Sequence, residues 1–306
     1  MKIAVLSGKG GTGKTLLSVN LAAVGGLENK AEKVTYVDCD VEEPNGRLFL
    51  KPDNIIEENV SVSIPSVNKD LCTGCRRCVE FCKFNALAII KDKVLVFDEV
   101  CHGCGGCQLV CPEGAMTEKP RLIGKIEQGI SQNVNVLTGV LNTGEVSGVP
   151  VIRRLLEKSS TQADGQRLLS NELTIIDCPP GCACVVMESI KDADYCILVA
   201  EPTIFGAHNL EMVYDLVKMY GKKFGVALNK TLEEENSSDI QINPSEEFCK
   251  KNNVEIIGRI PFDKELGLIN SNGIIISREN EKYKELFSGI LDKVMKEVQN
   301  EAASNT

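Results

Sequence analysis

The sequence predicts an α/β protein: a mostly parallel, doubly wound sheet with a small α+β domain inserted into it. Three observations carry that expectation. Short apolar runs recur along the chain and several end on a polar group: Ile3–Leu6, Val34–Val37 before Asp38, Leu173–Ile176 before Asp177, Tyr195–Ala200 before Glu201, and Phe224–Leu228 before Asn229. Runs of that length, with helical spacing between several of them, read as buried parallel strands. A glycine-rich turn separates the first run from the first helical segment, and between about Ser61 and Pro120 the character changes to regularly spaced cysteines. The chain divides accordingly into a discontinuous main domain, residues 1–60 and 121–306, and an insert, residues 61–120.

Composition limits what such a chain does. It has 306 residues, 43% hydrophobic and 25% charged, enough for a large core without disulfides. A formal net charge of −9 disfavours a broad basic face for nucleic acid or an anionic membrane. No apolar run approaches membrane-span length and no leader-like segment precedes the first strand, so a cytoplasmic protein without membrane insertion is expected. Of 14 cysteines, eight fall in two regular arrays, which reads as metal binding rather than a disulfide scaffold.

In chain order, the first element is the stretch Ser7 to Thr15, S-G-K-G-G-T-G-K-T, at a strand-to-helix turn. Gly8, Gly10, Gly11 and Gly13, with Thr12 among them, let successive backbone N–H groups turn inward, and the following helix offers its positive end to an anion. Lys14 can reach the outer phosphates of a nucleotide and the Thr15 hydroxyl can ligate Mg²⁺, the arrangement of a P-loop NTPase. The helical segment after it is expected to end around Gly25-Gly26. The next strand delivers Asp38-Cys39-Asp40 at its carboxyl end, the edge of a parallel sheet where ligands bind. A carboxylate there can hold Mg²⁺ through water or orient a water for attack on a γ-phosphate, and Asp40 can also cap the next helix.

Cys72-x2-Cys75-x2-Cys78-x3-Cys82 is followed by Cys101-x2-Cys104-x2-Cys107-x3-Cys111-Pro112. One such array could bind zinc; two copies, the second closed by proline, are the signature of a bacterial-type ferredoxin with two [4Fe–4S] clusters. In that pattern the fourth cysteine of each array serves the other cluster. Cluster one is then expected on Cys72, Cys75, Cys78 and Cys111, and cluster two on Cys101, Cys104, Cys107 and Cys82. Lys83 stands where the first array would carry proline, which loosens the backbone without removing a ligand. Gly74, Gly103, Gly105 and Gly106 let the chain close around the clusters, while His102 reads as a neighbour rather than a ligand. Leu87–Ile90 and Val94–Phe97 form an expected hairpin over them.

Beyond the insert, a helical pattern through Val151, Ile152, Leu155 and Leu156 leads to the strand ending at Asp177, a second carboxylate for the Mg²⁺ water shell. Pro179-Pro180-Gly181 forms a loop whose Gly181 N–H can sense the γ-phosphate. Asn229, at a later strand end, can bond a purine edge, although Asn-Lys is also ordinary turn chemistry. Ile256–Ile260 supplies a last strand, and the segment from Leu286 to Val298 has the spacing of a docked outer helix whose acidic balance is unlike a membrane-targeting one.

With Lys9 near the start of its loop, Asp38-x-Asp40 and Asp177-x-Pro-Pro-Gly, the chain resembles the deviant-Walker ATPases of the MinD/Mrp/nitrogenase-iron-protein group, and more closely MinD-superfamily ATPases with an inserted ferredoxin domain. Glu201-Pro202-Thr203, Gly206-x-His208, Asn229-Lys230 and Ile260-Pro261-Phe262-Asp263 also match that pattern. The resemblance implies binding and hydrolysis of ATP with Mg²⁺, Lys14 and Thr15 on phosphate and metal, and Lys9 reaching the nucleotide of a partner in an ATP-dependent homodimer. It implies that Asp40 positions the attacking water, that Asp38 and Asp177 support Mg²⁺, and that Asn229 contacts adenine. A γ-phosphate-sensing switch and two redox centres in one polypeptide point to a nucleotide state coupled to electron transfer or to metallocofactor maturation, with a redox partner or client metalloprotein. An iron–sulfur scaffold or carrier is the alternative, and a spatial-positioning ATPase fits the acidic balance less well. Cys182 and Cys184, beside the Gly181 loop, are either reduced thiols or part of a further metal site between subunits.

Overall fold

The computed structural model describes residues 1–160, 172–232 and 243–304. Its strands are β1 (Lys2–Leu6), β2 (Lys33–Asp38), β3 (Asp53–Val67), β4 (Leu87–Ile90), β5 (Lys93–Val96), β6 (Met116–Ser131), β7 (Val134–Leu141), β8 (Glu172–Asp177), β9 (Tyr195–Ala200), β10 (Phe224–Thr231) and β11 (Ile256–Pro261). The main sheet runs β11-β10-β9-β1-β8-β2-β7-β6-β3. Every neighbouring pair from β11 to β7 is parallel, while β6 and β3 extend the sheet antiparallel.

Alternation along the central strand shows why the sheet is wound on both faces. Ile3 and Val5 of β1 enter one core layer with helix α1 (Lys14–Leu27) and the helix Glu281–Ser304, through Leu17, Leu21, Phe287 and Leu291. Ala4 and Leu6 enter the opposite layer with the helices Val149–Ser160, Cys184–Ile190 and Ile204–Met219, through Leu155, Ile190 and Val213. The expected strands, the hairpin β4–β5 and the docked C-terminal helix are all present. Among the described residues no helix is long and apolar enough to cross a membrane.

Two features add to the sequence reading. Helix α1, expected to end around Gly25-Gly26, carries both glycines inside its last turn and ends at Leu27. A Cβ at Gly25 would stand 3.0 Å from Leu173 Cδ2, and one at Gly26 would stand 3.1 Å from Val134 Cγ2, so both glycines serve close helix–sheet approach. The second is the ribbon β3–β6, together with β7, which the reading left unassigned. β3 has 15 residues and β6 has 16, and along much of their length polar or exposed residues occupy both faces, so no apolar alternation marks them. The expected insert boundaries lie within this ribbon rather than in linkers: Ser61 pairs with Leu122 and Ser63 with Pro120. At its far end Asn68 N–H donates to the Ala115 carbonyl at 2.8 Å, closing the loop that holds all eight array cysteines.

Phe287 is fully buried and ties the C-terminal helix to the layer shared with α1. Phe287→Ala is expected to cost about 3–5 kcal/mol, read as a lower urea midpoint with an unchanged slope.

Candidate functional site

The glycine-rich loop closes over the end of β1 through its own hydrogen bonds. The Ser7 and Thr12 hydroxyls both donate to the Lys9 carbonyl, at 2.7 and 3.1 Å. Gly13 caps α1 at φ 103°, a left-handed conformation natural to glycine, and the first turn of that helix carries no acidic residue. Lys14 is buried, at 6% exposure, and Thr15 is half-buried beside it. Gly8 packs so tightly on Asn209 that a Cβ would come within 2.3 Å of its carbonyl oxygen.

Asn229 stands beneath this loop. Its amide donates to the Thr12 carbonyl at 2.7 Å, and a Cβ on Gly13 would lie 2.1 Å from that nitrogen. The side chain is 2% exposed, supports the phosphate loop, and accepts from Lys230 N–H at 2.9 Å, the turn chemistry expected beside the purine contact. Gly181 N–H likewise donates to the Ser7 carbonyl at 2.9 Å, which joins the Pro-Pro-Gly loop to the phosphate loop.

The carboxylates meet because the strands are in register. Asp38 pairs with Asp177 across β2 and β8, and Val5 of β1 pairs with Asp177 on its other side. Both aspartates are 1% exposed. Asp38 Oδ2 accepts from Gly46 N–H at 2.9 Å and Oδ1 from Asp40 N–H at 3.2 Å, so this carboxylate shapes the loop that carries Asp40. Asp177 Oδ2 accepts from the Tyr36 hydroxyl at 2.9 Å, and among the described residues Asp177 Oδ1 has no hydrogen-bond partner. Burial and the negative neighbour Asp177 push the Asp38 carboxyl well above its usual range. Burial also raises Asp177, against the opposing charge of Lys14 and the nearby hydroxyls of Thr15, Tyr36 and Ser18. Asp40, less enclosed, is pushed up to about 6 by burial despite the Lys14 charge, with Asp177, Glu43 and Glu42 adding to the rise. A buried carboxylate oxygen without a donor, next to a phosphate-loop hydroxyl, is what a hydrated Mg²⁺ requires.

Lys9 meets a partner within its own chain. Its ammonium pairs with Glu201 Oε2 at 3.0 Å, and Lys230 pairs with Glu201 Oε1 at 2.5 Å while donating to the Gly11 carbonyl at 3.2 Å. Burial works to raise the Glu201 carboxyl, and the two ammonium groups overcome it, leaving it below the usual range. Sequence reasoning met Glu201 as a strand end and as part of a motif; its position at the end of β9, facing the loop, was the available signal. Tyr36 was read as strand filling, and only its place two residues before Asp38 on the same strand face pointed to the site.

The eight array cysteines gather into two sets. One cavity is lined by Cys72, Cys75, Cys78 and Cys111, and a second by Cys82, Cys101, Cys104 and Cys107. Each set takes three thiols from one array and the fourth from the other. Among the described residues no three histidine, cysteine or carboxylate side chains converge on a position for a single metal ion. Gly103 N–H donates to Cys101 Sγ at 3.4 Å and Ala115 N–H to Cys111 Sγ at 3.3 Å, contacts of the kind that tune a bound cluster. Gly74 and Gly105 turn at φ 69° and 71° where the chain bends around these cavities. His102 stacks on Phe84 with centroids 3.9 Å apart, beside the second cavity. Cys39, Cys178, Cys196 and Cys249 are buried in the core, whereas Cys182 is half-buried and Cys184 exposed.

Residues 3–276 match the CobQ/CobB/MinD/ParA nucleotide binding domain family, CbiA. An uncharacterized protein of Methanocaldococcus jannaschii is 31% identical over 75% of this chain and 80% of its own length. A protein of Methanococcus maripaludis named an iron-sulfur cluster carrier protein is 23% identical over 97% of this chain and 86% of its length. An uncharacterized ferredoxin of M. jannaschii is 38% identical over 18% of this chain and 94% of its length. In fold, the chain is similar to the septum site-determining protein MinD of Pyrococcus horikoshii solved with Mg-ADP, with TM-score 0.56, 19% identity and coverage of 96% and 95% of the two chains.

Because the folded-state Asp40 carboxyl lies near 6, above its ordinary value of 3.8, its ionisation opposes folding. The native state holds this proton longer than the unfolded chain, so the penalty is absent below about pH 4, grows as pH rises to about 6, and is constant above. Asp40→Asn is therefore expected to melt higher than wild type, by a margin that opens over that window; parallel thermal melts across pH check it.

Proposed function

The chain belongs to the CobQ/CobB/MinD/ParA family of nucleotide-binding domains, and on that premise we propose that it is a Mg²⁺-dependent ATPase whose nucleotide state is coupled to two [4Fe–4S] clusters. The observation that carries this reading is the pairing, in one polypeptide, of a phosphate loop facing an unpartnered Asp177 Oδ1 with two four-cysteine cavities. The coupling serves electron transfer to a redox partner or the maturation of a client metalloprotein. A cytoplasmic location follows, since thiolate-bound clusters need a reducing compartment.

In this reading the loop N–H groups and Lys14 receive the β- and γ-phosphates. Thr15 and Asp177 Oδ1 would hold Mg²⁺, directly or through its water, and the ion would supply charge neutralisation at the phosphates. Asp40 orients the attacking water toward the γ-phosphate, and hydrolysis yields ADP and inorganic phosphate. Lys9 leaves Glu201 for the nucleotide of a second copy, so the complete site is that of an ATP-dependent homodimer. Asn229 and Asp38 act as supports of the loop and of Asp40, and Gly181, whose N–H is given to the Ser7 carbonyl rather than left free for a γ-phosphate, ties the adjoining loop to the phosphate loop.

In the cysteine cavities, Cys72, Cys75, Cys78 and Cys111 hold one cluster and Cys82, Cys101, Cys104 and Cys107 the other, each supplying one-electron chemistry when bound. A second reading, a cluster carrier, is favoured by the similarity to the M. maripaludis carrier protein over most of both chains and by the exposed Cys184.

Lys14→Ala and Asp40→Asn are each expected to lower ATP turnover roughly 100-fold or more. Anaerobically prepared protein should contain about eight irons per chain, and Cys82→Ser or Cys111→Ser about four. Cys184→Ser should leave that count unchanged, whereas a loss of iron or of cluster transfer to an apo-acceptor would favour the carrier. Coupling is tested by ATP turnover with the clusters oxidised and then reduced: equal rates would show two modules merely fused.

A further inference from the structure

Tyr36 lies against the aspartate pair, and the chemistry above gives it no role. Its ring belongs to the core layer beneath α1 and is fully buried, a place that phenylalanine would fill without an oxygen to desolvate. The hydroxyl is nonetheless present and well engaged. It donates to Asp177 Oδ2 at 2.9 Å, reaching diagonally from β2 to the neighbouring strand β8. Gly46 closes over it: a Cβ there would stand 2.1 Å from the hydroxyl oxygen. The same glycine gives its N–H to Asp38 Oδ2. Of the four carboxylate oxygens in the pair, Asp38 Oδ1, Asp38 Oδ2 and Asp177 Oδ2 thus have donors, and Asp177 Oδ1 has none among the described residues.

We propose that Tyr36 is a positioning residue for Mg²⁺: by pinning Asp177 Oδ2 it fixes the plane of the carboxylate and leaves Oδ1 turned toward the metal's water shell. The inference rests on the Mg²⁺–nucleotide reading of the site and deepens it. Without the hydroxyl, Oδ2 becomes a second buried acceptor without a donor, and the metal meets a carboxylate of no fixed orientation. The loss then falls on metal affinity, while the phosphate loop keeps its own contacts with the nucleotide.

Mn²⁺, which reports its own binding by electron paramagnetic resonance, stands in for Mg²⁺ in the test. It is titrated into the full chain with ADP present, for wild type, Tyr36→Phe, Gly46→Ala and Ile175→Val. Tyr36→Phe is expected to weaken Mn²⁺ binding about tenfold, the size of one lost hydrogen bond to a charged group, with ADP affinity in the absence of metal unchanged. Gly46→Ala, which drives a Cβ against the hydroxyl, should weaken Mn²⁺ in the same direction. Ile175→Val, which trims the neighbouring core position and touches no hydrogen bond, should bind as wild type. Equal Mn²⁺ affinity in Tyr36→Phe and wild type would overturn the inference and leave the ATPase reading standing. A wild type that takes up no Mn²⁺ with ADP would overturn both.

Discussion

The rest of this molecule depends on holding two carboxylates at the dry carboxyl ends of adjacent parallel strands. Like charges placed so close in a desolvated position repel, and each loses its water. The fold offsets this with directed donors: backbone N–H groups from Asp40 and Gly46 on Asp38, the Tyr36 hydroxyl on Asp177, and the Lys14 charge close by. The ladder itself continues past the strand ends, with Cys39 N–H on the Asp177 carbonyl and Cys178 N–H on the Val5 carbonyl, both within hydrogen-bond distance at 2.9 and 3.0 Å. These bonds lock β1, β2 and β8 in one register, and the register sets where the phosphate loop, Asp40 and the Gly181 turn begin.

The cysteine cavities are tied to the same strands by backbone rather than by a linker. Leu141 at the end of β7 donates to the Val41 carbonyl, one residue beyond Asp40, at 2.8 Å. β7 pairs with β6, β6 with β3, and the β3–β6 ribbon carries the cysteine segment at its far end. Arg121 on that ribbon makes a largely enclosed ion pair with Glu145, 2.7 Å away, on the turn that leads to the helix Val149–Ser160. A displacement of the Asp40 loop therefore has a hydrogen-bonded route to the ribbon, and a change at the cavities has the same route back. Such contiguity is a route that the proposed coupling would use; the redox dependence of turnover tests whether it does.

How far the sequence was legible follows from where each signal resides. The phosphate loop, the strand-end aspartates and the cysteine arrays are local motifs, in which spacing along the chain already sets geometry, and the structure brings those residues together. The crossed sharing of Cys82 and Cys111 between cavities was readable for the same reason. The β3–β6 ribbon was not, because polar residues on both faces of much of its length leave no period to read. Gly25 and Gly26 lie in the last turn of α1, where close packing on Leu173 and Val134 favours residues without a side chain. Asn229, Glu201 and Tyr36 owe their places to contacts across 217, 192 and 141 residues of chain respectively, the second counted from Lys9 to Glu201, and no local pattern encodes such a meeting.

The charges around the loop divide into fixed and releasable ones, and burial decides which is which. Lys14 is 6% exposed and belongs to the floor of the site, so a phosphate arriving there finds its charge already in place. Lys9 and Lys230 are 41% and 44% exposed and share one carboxylate, Glu201, whose side chain is 12% exposed. Lys230 has a second anchor in the Gly11 carbonyl, whereas the ion pair with Glu201 is what holds the Lys9 ammonium. Pairs as exposed as this are weak and readily exchanged. Of the two rim lysines, Lys9 is accordingly the one that a competing anion can draw away, while Lys230 keeps Glu201 neutralised after it leaves. The arrangement lets Lys9 move outward without stranding a buried charge behind it.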